Sequence, residues 1–186
     1  IEIKKINREA AEKTRSAIML MSSLAGKFRK YSIPQAGGCK LGARTVKPHL
    51  FVLENFGIKI KAKEDCFEVD AGKFNKAGKV VLYESGDTVT ESALMAAAQI
   101  PEETTIKMAT SNYMVQDLCF FLEKLGVKIS GIGGTTLKVE GLKKINKNIV
   151  YDPDDVTRTT IKETTVEEGR EGHLFSINEK QTVYDP

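Results

Sequence analysis

One signature occurs twice in this chain, and that repetition constrains the fold more than any other feature. Leu53-Glu54-Asn55-Phe56-Gly57-Ile58-Lys59-Ile60 is echoed by Leu122-Glu123-Lys124-Leu125-Gly126-Val127-Lys128-Ile129 at an offset of 69 positions. Upstream, Ser16-Ala17-Ile18-Met19 is echoed by Ser92-Ala93-Leu94-Met95 at an offset of 76. Self-similarity at such a period marks a supersecondary unit used more than once. The seven-residue difference between the offsets puts a longer connection inside the first copy. The only long irregular stretch there runs from about Arg29 to Val46. The first unit is therefore expected to carry a loop that the second lacks, and added loops are where function concentrates.

Apolar periodicity gives the elements of each copy. Residues Arg8 to Lys27 read as one helix, with Ala17, Ile18, Leu20, Met21 and Leu24 on a broad apolar face and Gly26 as C-cap. A short strand and the loop follow. Pro48 to Asn55 reads as a second helix, with Pro48 in its first turn and Gly57 at its C-cap. Ile58 to Lys63 and Cys66 to Ala71 read as two strands joined by a turn at Lys63-Glu64-Asp65. In the second copy the strands are expected at Lys79 to Tyr83, Thr104 to Lys107, Val127 to Ser130 and Thr136 to Glu140. Its helices are expected at Thr88 to Gln99 and Val115 to Leu125. The order is β-α-β-α-β-β, twice. Mixed sheets covered by helices on one face fit it better than a doubly wound parallel sheet, so the class is α/β in the broad, α+β sense.

The irregular stretch holds Gln35-Ala36-Gly37-Gly38-Cys39-Lys40-Leu41-Gly42-Ala43-Arg44. Its glycines let the backbone turn freely and approach a ligand closely. Lys40 and Arg44 lie within five residues of Cys39, and nearby cations lower a thiol's pKa and attract anions. The same residues also suit a glycine-rich surface turn whose cysteine is inert. The other two cysteines fit packing: Cys119 lies on an apolar helix and Cys66 on a strand. Three cysteines without framework spacing or a Cys-x-x-Cys pair suit the reducing cytosol, which places the chain in the cytoplasm. Two histidines, at 49 and 173, make no metal cluster. A formal charge of +3 without an aromatic-interleaved basic stripe argues against nucleic acid. No apolar run approaches the ~20 residues of a membrane span. A length of 186 residues supports one domain with a real core. No leader opens at Ile1, which is not Met, and the sequence reads as part of a longer one.

Taken together, several runs resemble the enolpyruvyl transferases. They are Lys13-Thr14-Arg15-Ser16-Ala17-Ile18, the loop Gly37 to Arg44, His49-Leu50, Gly86 to Ala97, and Leu125 to Gly131, all in family order. The resemblance covers about Ile1 to Asn148 and is nearest the branch that acts on UDP-N-acetylglucosamine. It implies an inside-out α/β barrel of repeated β-α-β-α-β-β units, three per domain, with two present here (1–71 and 72–148). It implies transfer of the enolpyruvyl group of phosphoenolpyruvate to the 3-hydroxyl of UDP-N-acetylglucosamine, in peptidoglycan precursor synthesis, with no cofactor and no metal. Cys39 would then be the proton donor to the enol carbon. Arg44 would bind the phosphate or carboxylate of phosphoenolpyruvate, and Arg15 the nucleotide sugar. Thr45, Val46, Lys47 and Pro48, with Ser85 and Gly86, would hold the acceptor. The partner implied is the second domain of the same enzyme.

Of three departures from the family pattern, the second and third fall on acceptor positions. Ala36 stands where the family usually has Pro. Thr45-Val46-Lys47-Pro48 replaces Pro-Val-Asp-Leu, exchanging an acid for a base. Glu84-Ser85-Gly86-Asp87-Thr88 replaces Ser-Val-Gly-Ala-Thr. A non-catalytic paralogue or barrel module that binds a nucleotide sugar or another anion is the alternative these leave open. Beyond Asn148 the family match fades. The tail 149–186 repeats Val150-Tyr151-Asp152-Pro153 as Val183-Tyr184-Asp185-Pro186 around a Thr- and Glu-rich stretch, and weak order is its default expectation.

Overall fold

The computed structural model describes residues 6–35, 45–75 and 78–144. The loop residues Cys39 and Arg44, and the tail from 149, lie outside the described residues.

The first segment departs from the single helix expected over Arg8 to Lys27. It is α1 (Arg8–Lys13), a 3-10 turn (Arg15–Met19) and α2 (Leu20–Ser23). Asn7 caps α1, its Oδ1 accepting from the Ala10 N–H at 3.0 Å. The break falls at Thr14, which is extended at φ −125°, ψ 130°. Its hydroxyl donates to the Ala10 carbonyl at 3.1 Å and its N–H to Ala11. A β-branched residue whose hydroxyl competes for helix carbonyls is a natural place to stop. The consequence is positional: Arg15 opens the next turn instead of continuing the stripe of α1. Gly26 is not a left-handed cap either. Its N–H donates to Gln99 Oε1 at 3.0 Å, and a Cβ there would fall 2.5 Å from that oxygen.

The rest follows the order read from the sequence. The first copy continues as β1 (Lys30–Pro34), α3 (Lys47–Asn55), β2 (Lys59–Ala62) and β3 (Cys66–Asp70). The second is β4 (Gly78–Val81), α4 (Asp87–Ala97), β5 (Glu103–Lys107), α5 (Tyr113–Leu125), β6 (Lys128–Ser130) and β7 (Thr136–Glu140). One sheet has strand order β1-β3-β2 and the other β4-β5-β7-β6. In both, the last strand of the copy sits between the two before it, antiparallel to each. Lys30 pairs with Asp70 and Lys59 with Asp70; Glu103 pairs with Glu140 and Lys128 with Glu140. β4 adds to β5 in parallel. Period-2 burial puts Phe67 and Val69 of β3, and Leu137 and Val139 of β7, on the inner faces.

The helices fill the space between. α4 contacts α2, α3 and α5. Val89, Thr90, Ser92, Ala93, Leu94, Ala96 and Ala97 of α4 are all buried, which is why this helix is apolar or small nearly all round. Its alanines let neighbours approach closely, while Phe56, Leu53, Ile58, Ile33, Met21 and Ile100 supply bulk. Gln99 ties the end of α4 to the end of α2, its Nε2 donating to the Ser22 carbonyl at 3.0 Å. Among the described residues no helix is long and apolar enough to cross a membrane.

The repeated signature has the same local structure twice: a helix end, a left-handed glycine, then a strand. Gly57 has φ 82° and Gly126 φ 103°. Gly57 is doubly required, since a Cβ there would also run into the Lys73 backbone carbonyl. Gly133 shares the left-handed backbone at φ 80° but has only Gln116 side-chain atoms at 3.7 Å or more. Gly133→Ala is therefore expected to cost about 1–2 kcal/mol, the left-handed penalty alone. Gly57→Ala should cost distinctly more, with loss of the α3–β2 junction. Urea melts of the two variants compare them directly, and equal midpoints would refute the clash.

Candidate functional site

An open cleft of about 530 Å3 lies where the two copies meet. Arg15, Thr45 and His49 line it from the first copy, and Glu84 to Thr88 from the second. Three helical starts converge there: the 3-10 turn at Arg15, α3 at Lys47 and α4 at Asp87. At α3 the Lys47 N–H is taken by Thr45 Oγ1, Pro48 has none and the His49 N–H bonds the Val46 carbonyl. The N–H groups and positive dipole end that favour anions are therefore those of α4, whose N-cap Gly86 gives no side-chain cap.

Each wall has a local reason. Arg15 Nη2 donates to the Thr45 carbonyl at 2.9 Å, joining the 3-10 turn to the start of α3. Thr45 Oγ1 accepts from the Lys47 N–H at 3.2 Å, so the same residue braces α3. On the other wall Gly86 is the N-cap of α4. Thr90 Oγ1 donates to the Gly86 carbonyl at 2.8 Å and accepts from the Thr110 N–H at 3.2 Å. That pair anchors the start of α4 to the segment after β5. Thr88 is exposed, and Glu84 and Asp87 put carboxylates on the rim.

His49 closes the floor. It is 2 % exposed, in the first turns of α3. Nδ1 lies 3.1 Å from Ser92 Oγ and Nε2 3.2 Å from Thr88 Oγ1. Burial, and secondarily the Arg15 charge, lower its pKa to about 4. A neutral imidazole thus spans from the first copy to two hydroxyls one turn apart on α4.

Of the residues selected from the sequence, Arg15, Thr45, Ser85 and Gly86 come together in this cleft. Val46 is half-buried against the core, Pro48 is buried in the first turn of α3, and Lys47 is exposed; none of these three lines the cleft. Cys39 and Arg44 lie outside the described residues, and Thr45 is the first described residue after them. Sequence reasoning passed over His49 as a binding residue. No local signal marked it, because its partners Thr88 and Ser92 lie on α4 among other polar residues, Asp87, Thr90 and Glu91. Among the described residues no group of three His, Cys, Asp or Glu could hold a metal ion.

Comparison with known proteins gives a consistent picture. The family model described as EPSP synthase (3-phosphoshikimate 1-carboxyvinyltransferase) matches residues 2–161. A UDP-N-acetylglucosamine 1-carboxyvinyltransferase of Treponema denticola is 34 % identical over 146 residues, covering 78 % of this chain and 34 % of the relative. One of Helicobacter pylori is 32 % identical over 155 residues, covering 82 % of the chain and 37 % of the relative. The chain thus spans about a third of the length of these curated relatives. The crystal structure of the enolpyruvyl transferase NikO from Streptomyces tendae matches with a TM-score of 0.62 at 16 % identity, over 83 % of this chain and 38 % of that one. That likeness speaks to the fold alone.

Proposed function

Because the chain belongs to the EPSP synthase family, we propose that it forms part of an enolpyruvyl transferase acting on phosphoenolpyruvate and UDP-N-acetylglucosamine, in peptidoglycan precursor synthesis in the cytoplasm. On this reading residues 1–148 are two units of a three-unit, inside-out α/β barrel, with the tail 149–186 outside it. The site is completed by a second domain of the same enzyme. The observation that carries the reading is the cleft itself. Arg15, Thr45 and Ser85–Gly86 come from three distant segments and meet beside the start of α4, a setting for a phosphorylated ligand.

The chemistry assigned to this chain is binding and one proton. Arg15 and the start of α4 hold the diphosphate of the nucleotide sugar. Arg44 takes the phosphate or carboxylate of phosphoenolpyruvate through paired charge-assisted bonds. The sugar 3-hydroxyl gives its proton to a base of the second domain and adds to C2 of phosphoenolpyruvate, while the Cys39 thiol gives its proton to C3 and is left as thiolate. Loss of a proton from C3 to the thiolate or another base and of inorganic phosphate from C2 then re-forms the double bond and gives the enolpyruvyl ether. Ser85 and Gly86 contact the acceptor, with Val46, Lys47 and Pro48 shaping the segment that faces it. Lys47 and Asp87 differ from the family pattern at acceptor positions, so acceptor affinity should be poorer than phosphoenolpyruvate affinity. The same substitutions favour the second reading, a nucleotide-sugar-binding paralogue without turnover.

The test uses the full-length protein with both substrates, measuring phosphate release and the mass of the product. Arg15→Ala should raise the acceptor KM roughly ten- to a hundredfold, the effect of losing a charge-assisted bond of about 1.5–3 kcal/mol. Nucleotide-sugar binding without phosphate release would select the paralogue reading. No binding of either substrate would defeat both.

A further inference from the structure

We infer that His49 is a positioning residue: held as the Nε2–H tautomer by Ser92, it turns the Thr88 hydroxyl proton into the cleft and makes Thr88 a donor to a phosphoryl oxygen. The inference deepens the reading above and rests on its phosphorylated ligand.

Ser92 is 1 % exposed. Among the described residues His49 Nδ1 is the hydrogen-bond partner of its hydroxyl, at 3.1 Å. If Nδ1 carried the ring proton, Ser92 would accept it and its own O–H would be left buried with no acceptor. A stranded donor is costly, whereas an unfilled hydroxyl lone pair is tolerable. Ser92 therefore donates and Nδ1 accepts. A neutral ring must then carry its proton on Nε2, 3.2 Å from Thr88 Oγ1. That proton occupies a lone pair of the Thr88 oxygen, and the Thr88 hydroxyl proton is left for another acceptor. Thr88 is exposed and lines the cleft, next to the unpaired N–H groups at the start of α4. The opposite tautomer would make Thr88 donate to the ring and present only lone pairs to the ligand, repelling an anion. The chain Ser92 to His49 to Thr88 fixes the direction of one hydrogen bond at the mouth of the site. The charged groups that line the cleft with it are Arg15 from the 3-10 turn, Asp87 from α4 and Glu84 from the segment before α4.

Two measurements on the full-length protein decide the matter. Long-range 1H–15N spectra of the histidine rings, with His49 assigned by its loss in His49→Gln, should give the neutral Nε2–H pattern in the unmodified protein. This readout needs no variant to bind anything. Calorimetric titration with UDP-N-acetylglucosamine should give a Kd about tenfold weaker for Thr88→Val and within about threefold of wild type for Thr88→Ser. His49→Gln, whose amide donor occupies the place of Nε2–H, should stay within about threefold. His49→Asn, whose amide occupies the place of Nδ1, should lose about tenfold. A purely structural role would make the Gln and Asn variants lose alike. An Nδ1–H pattern, equal losses in the two His49 variants, or an unchanged Kd for Thr88→Val would each overturn the inference. If wild type binds no UDP-N-acetylglucosamine, the acceptor assignment fails and the same variants are titrated with inorganic pyrophosphate. Indifference of Thr88→Val to that probe overturns the relay as well.

Discussion

Full-length protein carrying Cys39→Ala is expected to lose phosphate release from phosphoenolpyruvate by at least about a hundredfold, the low end of what a positioned general acid contributes. Binding of UDP-N-acetylglucosamine should stay within a few-fold of wild type. Cys39→Asp should restore part of the turnover, because a carboxylic acid can also give a proton. It should also escape alkylation by the epoxide phosphonate fosfomycin, because the thiolate that opens the epoxide is gone. The internal controls are the other two thiols. Cys119 is fully buried on α5, and burial, with Glu123 adding to it, pushes its thiol up to about 12. Cys66 is partly exposed on β3, but desolvation, then Asp65 and Glu68, raise its thiol as well. Neither offers much thiolate near neutral pH. Adduct mass should therefore map to the peptide containing Cys39. Undiminished turnover in Cys39→Ala, or a first adduct at Cys66, would remove the acid role from the loop.

The elements legible in the sequence were those set by strong local signals. The pairs Leu53/Leu122 and Gly57/Gly126 mark the same helix end, left-handed glycine and strand entry, because no residue but glycine adopts φ near 82–103° cheaply. Alternation in Cys66-Phe67-Glu68-Val69-Asp70 and Thr136-Leu137-Lys138-Val139-Glu140 gave two strands with one buried face each. Arg8 to Lys27 failed, because apolar spacing is blind to Thr14, whose hydroxyl competition shortens α1 and frees Arg15 for the cleft. Gly26 was misread as a cap for a related reason. Its use is to admit Gln99, 73 positions away, and no local rule sees a contact at that separation. Of the residues the family resemblance selected, Arg15, Thr45, Ser85 and Gly86 line one cleft, while Val46, Lys47 and Pro48 do not. His49 escaped because its partners, Ser92 and Thr88, lie 43 and 39 positions on and mean nothing until α3 and α4 pack together.

That packing makes the acid side of the stability curve depend on one ring. His49 is buried neutral, with its pKa lowered to about 4 by desolvation first and Arg15 second, against about 6.5 in the unfolded chain. The sign follows from proton counts. Between the two values the unfolded state holds a proton that the folded state refuses, so folding loses stability as pH falls. The contribution is fully present above pH 6.5, declines through the window from 6.5 to about 4, and levels off below it. At ~1.4 kcal/mol for each pH unit the loss comes to about 3 kcal/mol. Glu91 on α4 has a raised pKa, from burial first and Asp87 second, and contributes with the opposite sign. The comparison must therefore be a difference between two proteins. Urea denaturation of the full-length protein should give wild type a steeper fall in stability from pH 7 to pH 4 than His49→Gln, by about 3 kcal/mol over the window. Parallel curves would mean that the ring is charged in the folded state, and with it the neutral bridge between α3 and α4 would fall.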